Sequence, residues 1–215
     1  MTSVSATPTR RLRVLLIAVL ASANILVFAL SGYSLYESHR EYIRQAQALS
    51  QNVAVALDQS ISNSIDKVHF ALCIVADELE RQLAGKGGIS KPDMDAFLRR
   101  QEERLPEVEA LRVANRDGEV ILGKGVSESS RTSWADRDYF TYHRDHADHS
   151  LHVAKARVGR VSKQFIIGFS IRYNHPDGRF AGVVSAPITV SHFARILAGF
   201  NIGPNGSLIL RDADL

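Results

Sequence analysis

The chain has 215 residues, of which 45% are apolar and 23% are charged; this suits one globular domain with an additional segment and excludes two full domains. Its formal net charge of +3 is carried entirely by Arg10, Arg11 and Arg13. The rest of the chain is neutral and shows no basic stripe, which excludes a nucleic-acid partner, and its one cysteine, Cys73, excludes an internal disulfide.

The first predicted element is a membrane-spanning helix over residues 14–36. This stretch contains no charged side chain and is long enough to cross the roughly 30 Å hydrocarbon layer of a bilayer. The three arginines precede it, and positive flanks stay in the cytoplasm. We therefore expect residues 1–13 to be cytoplasmic, membrane lipid to be a partner, and the remainder to lie outside the cytoplasm. The alternative is a signal peptide cleaved near residues 21–23, although the apolar run continues beyond that point.

A long helix is predicted to follow the span, because residues 33–84 contain neither glycine nor proline. Apolar residues recur there every three or four positions, at Val53, Leu57, Ile61, Ile65, Val68, Leu72, Val75, Leu79 and Leu83. This spacing is typical of a helix with one apolar face. Residues 37–84 are therefore predicted to begin as a stalk and to end packed against a domain. The same apolar stripe is a candidate seam for a homodimer.

The next part of the chain, residues 85–200, predicts an α+β domain. A second helix is expected between Pro92, which suits a first turn, and Pro106, which stops it. Alternating apolar residues then predict strands, and the two clearest are joined by a turn at residues 176–178. Hairpins of strands, with the helices gathered at one side, indicate an antiparallel sheet.

The predicted strands cover residues 111–113, 120–122, 151–158, 165–173 and 180–188. Ser191 is predicted to cap a short helix that ends at Gly199. A further apolar strand is expected from Ser207 to Leu210. Because no partner strand follows it, residues 201–215 are interpreted as the start of a second, truncated domain.

Two segments resemble the extracytoplasmic double Cache (PDC) sensor family of bacterial receptors. Residues 136–140 read Asp-Arg-Asp-Tyr-Phe and residues 177–183 read Asp-Gly-Arg-Phe-Ala-Gly-Val; in that family such segments flank the last strands of the sensor domain. The motif positions expected to be structural are Asp136, Phe140, Asp177, Gly178, Phe180 and Gly182.

The resemblance covers residues 37–215 and carries implications for both fold and function. It implies a membrane-distal, PAS-like domain with an antiparallel five-stranded sheet that binds a small ligand. A second domain and a cytoplasmic output follow in such receptors, and the output is often a diguanylate cyclase (GGDEF) or a histidine kinase. The sequence contains no motif of either output, so we expect no enzyme activity in this chain. The expected location is the inner membrane, with the sensor domain in the periplasm.

Arginines and aromatic residues near the first motif are candidates for the ligand site. A sensor pocket needs an apolar concavity with a few aimed polar groups, and the planar fork of arginine suits carboxylate or phosphate ligands. The candidates are Trp134, Arg137, Tyr139, Tyr142, Arg144, Arg172 and Tyr173. The alternative is structural: Asp136 and Arg137 would hold the connector, and Tyr139 and Phe140 would belong to the core. The ligand is unidentified, a carboxylate being one candidate, and no cofactor is expected.

Histidines recur at every third position, at His143, His146, His149 and His152, with aspartates between them. Histidine and aspartate together can bind zinc. A three-residue repeat does not keep four side chains on one helical face, which favours a solvated loop over a metal site. No metal is therefore predicted.

The leading interpretation is the small-ligand-sensing input module of a membrane receptor. The alternative is an anchored, dimeric structural or assembly module without a small ligand. An enzyme is disfavoured, because the sequence has no nucleophile elbow, no phosphate-cradling glycine loop and no metalloprotease helix motif.

Overall fold

The computed structural model describes residues 8–85, 87–126, 132–200 and 206–210. Its helices are α1 (Pro8–Ala84), α2 (Lys91–Glu102), α3 (Asp138–Asp145) and α4 (Val190–Ala198). Its strands are β1 (Arg112–Asn115), β2 (Val120–Gly123), β3 (His152–Val153), β4 (Arg157–Val158), β5 (Phe165–Asn174) and β6 (Phe180–Thr189). The chain divides into two compact units, Met1–Ala54 and Val55–Leu215, and α1 contributes to both.

In the first unit α1 is exposed over residues 12–52, and it provides one candidate membrane span by length and apolar composition among the described residues. Two polar side chains in the apolar stretch bind the helix's own carbonyls. Ser22 Oγ donates to Val19 O at 2.9 Å, and Asn24 Nδ2 donates to Leu20 O at 2.9 Å. Because hydrocarbon offers polar groups no other partner, these bonds make both residues tolerable within a bilayer.

In the second unit all strand pairings are antiparallel, in the order β2-β1-β6-β5-β3, with β4 also beside β5. This confirms the predicted fold class and both predicted hairpins. Gly118 and Gly178 close the two turns with φ of +82° and +81°. Glycine adopts this left-handed conformation without the strain that a Cβ atom would cause.

Residues 151–158, predicted as one strand, form two short strands along the edge of β5. Val153 pairs with Phe169, whereas Arg157 pairs with Ile166. Three edge residues therefore lie opposite two residues of β5, and the extra residue breaks the ladder as a β-bulge does. The sheet accordingly has six strands in five positions, rather than the five continuous strands that were predicted.

The C-terminal part of α1 forms the main core with one face of the sheet. Val68, Leu72, Val75 and Leu79 are fully buried, as the apolar stripe predicts. They pack with residues of α2 and of the central strands, including Met94, Leu98, Val113, Phe169, Ile171 and Val184. Each such side chain contributes about 1.5–3 kcal/mol through burial. This part of the stripe is occupied within its own domain and is not free to form a dimer seam.

The other face of the sheet is covered by residues 132–145. Successive side chains of a strand point to opposite faces, so Ala114 and Val183 turn away from the main core. They form a second cluster with Trp134, Tyr139 and Phe140. This segment, for which the sequence pattern predicts neither helix nor strand, therefore includes a helix, α3, which lies on the sheet.

Two predicted details near the C-terminus are wrong. The residue that precedes α4 is Thr189, and Ser191 Oγ donates to Thr189 Oγ1 at 3.0 Å instead of capping the backbone. Residues 206–210 form neither strand nor helix, because no strand in the described ranges offers them a hydrogen-bond ladder. The rest of the predicted second domain, residues 201–205 and 211–215, lies outside the described residues.

Candidate functional site

A cleft lies on the face of the sheet that α3 covers. It encloses about 40 Å³. Three central strands supply its floor, the segment that leads into α3 supplies one wall, and the β4–β5 region supplies the other. The polar lining residues are Arg112, Trp134, Arg137, Tyr139, Arg157, Arg160, Ser162 and Ser185.

Strand register places a row of polar side chains on the face of the sheet that carries the cleft, and Arg112 and Ser185 are the members of this row that line the cleft. Ser185 pairs with Arg112 on one side and with Ser170 on the other, and Ser170 pairs with His152. Directly paired residues share a face of the sheet, so the row crosses four strands. Arg112, Ser170 and Ser185 are only 4%, 1% and 6% exposed. A buried polar row on a sheet whose other face is apolar favours a binding surface over plain packing.

Three of the four arginines in the cleft already bind a carboxylate. The pairs are Arg112–Glu109, Arg157–Asp138 and Arg160–Asp136. Arg112 donates from Nη1 and Nη2 to the two oxygens of Glu109 at 2.6 and 3.0 Å. Arg160 donates in the same bidentate way to Asp136, at 2.5 Å for both contacts. Such forked pairs fix both position and orientation.

The two aspartates in these pairs stay ionised at neutral pH. Hydrogen bonds from Arg160 lower the pKa of Asp136 to about 2. Burial alone would raise the pKa of Asp138, but hydrogen bonds from Arg157 and from the Tyr139 backbone N–H bring it below its ordinary value. Both aspartates therefore neutralise their arginines.

Arg137 differs from the other three arginines. Its guanidinium is half-buried at the cleft wall, and within the described residues it makes no hydrogen bond and no ion pair. Its backbone is fixed, because its N–H donates to Trp134 O at 2.8 Å and its carbonyl accepts from Thr141 N at 3.0 Å. The backbone therefore places Arg137 at the cleft wall, where its planar fork has no direct partner among the described residues.

Three uncharged donors near Arg137 are also without a partner in the described part of the chain: the Trp134 indole N–H and the hydroxyls of Tyr139 and Ser185. The Trp134 and Tyr139 rings meet edge to face, with centroids 5.8 Å apart, which holds both at the wall. Burial raises the pKa of Tyr139 above its usual value, so its phenol remains a neutral donor. Together these groups suit an anion that offers several acceptor atoms.

Solved structures with the same architecture come from bacterial receptors. The extracellular domain of the histidine kinase rpHK1S-Z16 matches with a TM-score of 0.63 and 25% identity, over 71% of this chain and 61% of that chain. This chain has the fold of an extracellular sensor domain. The V. cholerae histidine kinase DctB sensor domain matches with a TM-score of 0.54 and 17% identity, over 71% and 60% of the two chains.

A chemoreceptor gives a similar match. The ligand-binding domain of Campylobacter jejuni Tlp3, in complex with 4-methylisoleucine, matches with a TM-score of 0.53 and 14% identity, over 66% of this chain and 58% of that one. This chain therefore spans about three fifths of these sensor domains. No family model matches the sequence, and no curated protein matches it. The resemblance to Cache-type sensors is confirmed at the level of the fold.

The sensor fold brings three of the seven predicted ligand residues, Trp134, Arg137 and Tyr139, to the cleft. Tyr142 lies elsewhere on α3, its ring stacked at 4.4 Å on His146. Arg144 is exposed and pairs with its neighbour Asp145 at 2.9 Å. The sequence did not show which of these residues line the cleft, because it did not predict the helix α3. On that helix Tyr139 faces the cleft, whereas Tyr142 and Arg144 lie on other sides.

Arg172 and Tyr173 are buried and serve packing. Arg172 donates to the carbonyls of His143 and His146, which ties the end of α3 to β5. Tyr173 belongs to the main core and donates from its hydroxyl to Ala114 O at 3.2 Å. Neither side chain lines the cleft.

The predicted motif residues hold the cleft and its neighbouring hairpin in place. Asp136 joins the connector to Arg160, while Phe140 packs edge to face on Phe180 with centroids 5.6 Å apart. Asp177 accepts from the backbone N–H of Arg179 at 3.1 Å in the β5–β6 turn. The proposed structural roles of these positions are consistent with these contacts.

The prediction of a solvated loop is wrong for His143. This residue is completely buried on α3, because it lies four positions after Tyr139 and shares the helix face that packs on the sheet. Its Nε2 lies 3.1 Å from Ser170 Oγ, and its Nδ1 has no partner. Burial and the neighbouring His152 lower the pKa of His143 to about 4. The described ranges contain no cluster of three or more His, Cys, Asp or Glu able to hold a metal.

Five polar residues of the cleft were not predicted from the sequence: Arg112, Arg157, Arg160, Ser162 and Ser185. Arg112 and Ser185 alternate with apolar residues, so the pattern alone predicts an exposed strand face. This face of the sheet is buried only because α3 and the segment before it pack on top of it. One signal in the sequence pointed to this interior. Arg112 is a charged residue within a strand, and Glu109, a possible partner for it, lies three residues earlier.

Proposed function

We propose that this chain is the small-ligand-sensing input module of a membrane-bound signal-transduction receptor, with the cleft as its ligand site and a small carboxylate as its ligand. The observation that carries the proposal is the free guanidinium of Arg137. It lies with three uncharged donors in a cleft on a sensor fold. Because Arg137 is half-buried and has no carboxylate in direct contact among the described residues, a bound anion would pair with it and stabilise the folded domain.

The proposed membrane arrangement follows from the N-terminal sequence. The charge-free apolar stretch begins after Arg10, Arg11 and Arg13, which would keep the N-terminus in the cytoplasm and place the sensor domain outside. In a bacterium with two membranes this is the inner membrane and the periplasm. A histidine kinase or diguanylate cyclase is the proposed output of the whole receptor.

We also propose that two copies pair through the membrane-proximal part of α1. Tyr42, Ala46, Leu49 and Val53 follow one another at steps of four, three and four residues, which is the spacing of a coiled-coil seam. Tyr42 and Leu49 are exposed within the first unit. A monomeric mass for the chain in lipid nanodiscs would contradict this pairing.

The ligand-sensing function is tested by thermal unfolding of the 215-residue chain in nanodiscs, with a panel of small carboxylates, phosphates and amines. A ligand at 100 times its Kd stabilises the folded state by about 2.7 kcal/mol, which corresponds to a rise in Tm of roughly 5–10 °C for a chain of this size. We expect such a rise with at least one carboxylate. If no compound of the panel raises Tm, the structural or assembly module becomes the better account.

A further inference from the structure

We infer that the cleft selects a small monoanion, with one carboxylate and no ammonium group. The inference deepens the proposed function and rests on it. It follows from three features of the lining: its balance of charges, the absence of a free acidic group, and its size.

The charge balance of the cleft leaves one uncompensated positive charge. The guanidinium groups of Arg112, Arg157 and Arg160 are each matched by a carboxylate in direct contact. Among the described lining residues, only Arg137 has no carboxylate in direct contact. A ligand with one negative charge completes the balance, whereas a second negative charge would be desolvated without a partner.

The described lining offers an ammonium group no carboxylate, and hydroxyl oxygens are the only uncharged side-chain acceptors that it provides. None of its residues is aspartate or glutamate. The nearest carboxylates, Glu109, Asp136 and Asp138, already accept from arginine. An ammonium group has donors only, and the free groups in the cleft are the Arg137 fork, the Trp134 N–H and hydroxyls. An α-amino acid would thus place its cationic end beside cations, which is unfavourable at these short distances.

The size and the apolar wall favour a short carbon chain. The cleft encloses about 40 Å³, and one water needs about 10–15 Å³ on this measure. The enclosed part therefore holds about three water-sized groups, which is the size of one carboxylate group, and the remaining atoms of a ligand would lie along the wall of the cleft. Ala154, Ile166 and Pro187 supply the apolar part of the lining, against which a methyl or ethyl group can pack. The hydroxyls of Tyr139 and Ser185 can donate a hydrogen bond to a hydroxyl or keto oxygen of the ligand.

Three isosteric compounds test the inference: propionate, lactate and alanine differ only in hydrogen, hydroxyl or ammonium on the same three-carbon carboxylate. Succinate adds the second negative charge. Binding is measured by isothermal titration of the 215-residue chain in nanodiscs at pH 7. We expect propionate or lactate to bind at least tenfold more tightly than alanine and at least tenfold more tightly than succinate.

The possible results separate this inference from the proposed function. If alanine or succinate binds as tightly as the monocarboxylates, the charge argument is overturned and a ligand-binding sensor remains. If none of the four compounds binds at millimolar concentration while the broader panel yields another ligand, the monoanion inference alone fails. If neither set yields a ligand, both fail.

Discussion

Gly182→Ala is expected to destabilise the sensor domain by about 4 kcal/mol, enough to unfold a marginal domain. Gly182 has φ of +156° in β6, where the strand lies against β1. A Cβ atom there would lie 2.0 Å from the carbonyl oxygen of Ala114 and 2.7 Å from the ring of Tyr173. That oxygen accepts the Tyr173 hydroxyl at 3.2 Å, so neither neighbour can move without breaking a buried contact. The glycine of the Phe-x-Gly-Val motif is therefore a packing requirement.

Gly178→Ala is the matched control in the same hairpin. Gly178 has φ of +81°, but no atom lies within 4 Å of the added Cβ. The free energy of unfolding of this variant should fall by only about 1–2 kcal/mol, which is the cost of a Cβ atom in the left-handed backbone conformation. Urea unfolding followed by the fluorescence of Trp134, the single tryptophan, gives both free energies of unfolding. Equal losses in the two variants would contradict the proposed clash.

Acidification is expected to destabilise the domain through His143 by on the order of 3 kcal/mol at pH 4. Its pKa is about 4 in the folded state, below the ordinary value of 6.5, so the unfolded chain binds the proton more tightly. The stabilising contribution is thus complete above pH 6.5 and is lost as pH falls towards 4. The groups that face this imidazole are Ser170 and Arg172 on β5, His152 on β3 and Asp148 in the following loop.

His143→Gln removes the titration and keeps a side chain that can bond to Ser170. We expect its free energy of unfolding to change less between pH 6.5 and pH 4 than that of the wild type. His39→Gln, an exposed site on α1, should keep the wild-type slope. Asp136, with a pKa of about 2, titrates below this range. If His143→Gln retains the full wild-type slope, another group causes the acid sensitivity.

Periodicity correctly predicted the helices and strands in which one face packs against a single neighbouring layer, because that contact alone determines where the apolar residues lie. The stripe from Val68 to Leu79 faces one sheet surface, and the β5 and β6 strands join through a turn that Gly178 makes possible. Both signals are local in the sequence. The fold class, the long helix and both hairpins could therefore be predicted.

The site was predicted only in part, because it depends on contacts between distant segments. Arg137 and Arg112 are 25 positions apart in the sequence, and they meet only because α3 lies on the face that Arg112 occupies. Whether an arginine is free or paired also depends on such contacts. Arg137 and Arg144 looked equivalent in the sequence, yet Arg144 binds Asp145 at the surface.

The central claim, that Arg137 holds a small carboxylate in this cleft, is tested most directly by the fluorescence of Trp134. As the single tryptophan, it lies in the cleft wall and reports on occupancy without a label. We expect titration with lactate or propionate to give a saturable change in the 215-residue chain. Arg137→Ala should weaken binding about 10- to 100-fold, by the value of a charge-assisted hydrogen bond, and Arg144→Ala should leave it unchanged. Equal affinity in Arg137→Ala and the wild type would contradict the account.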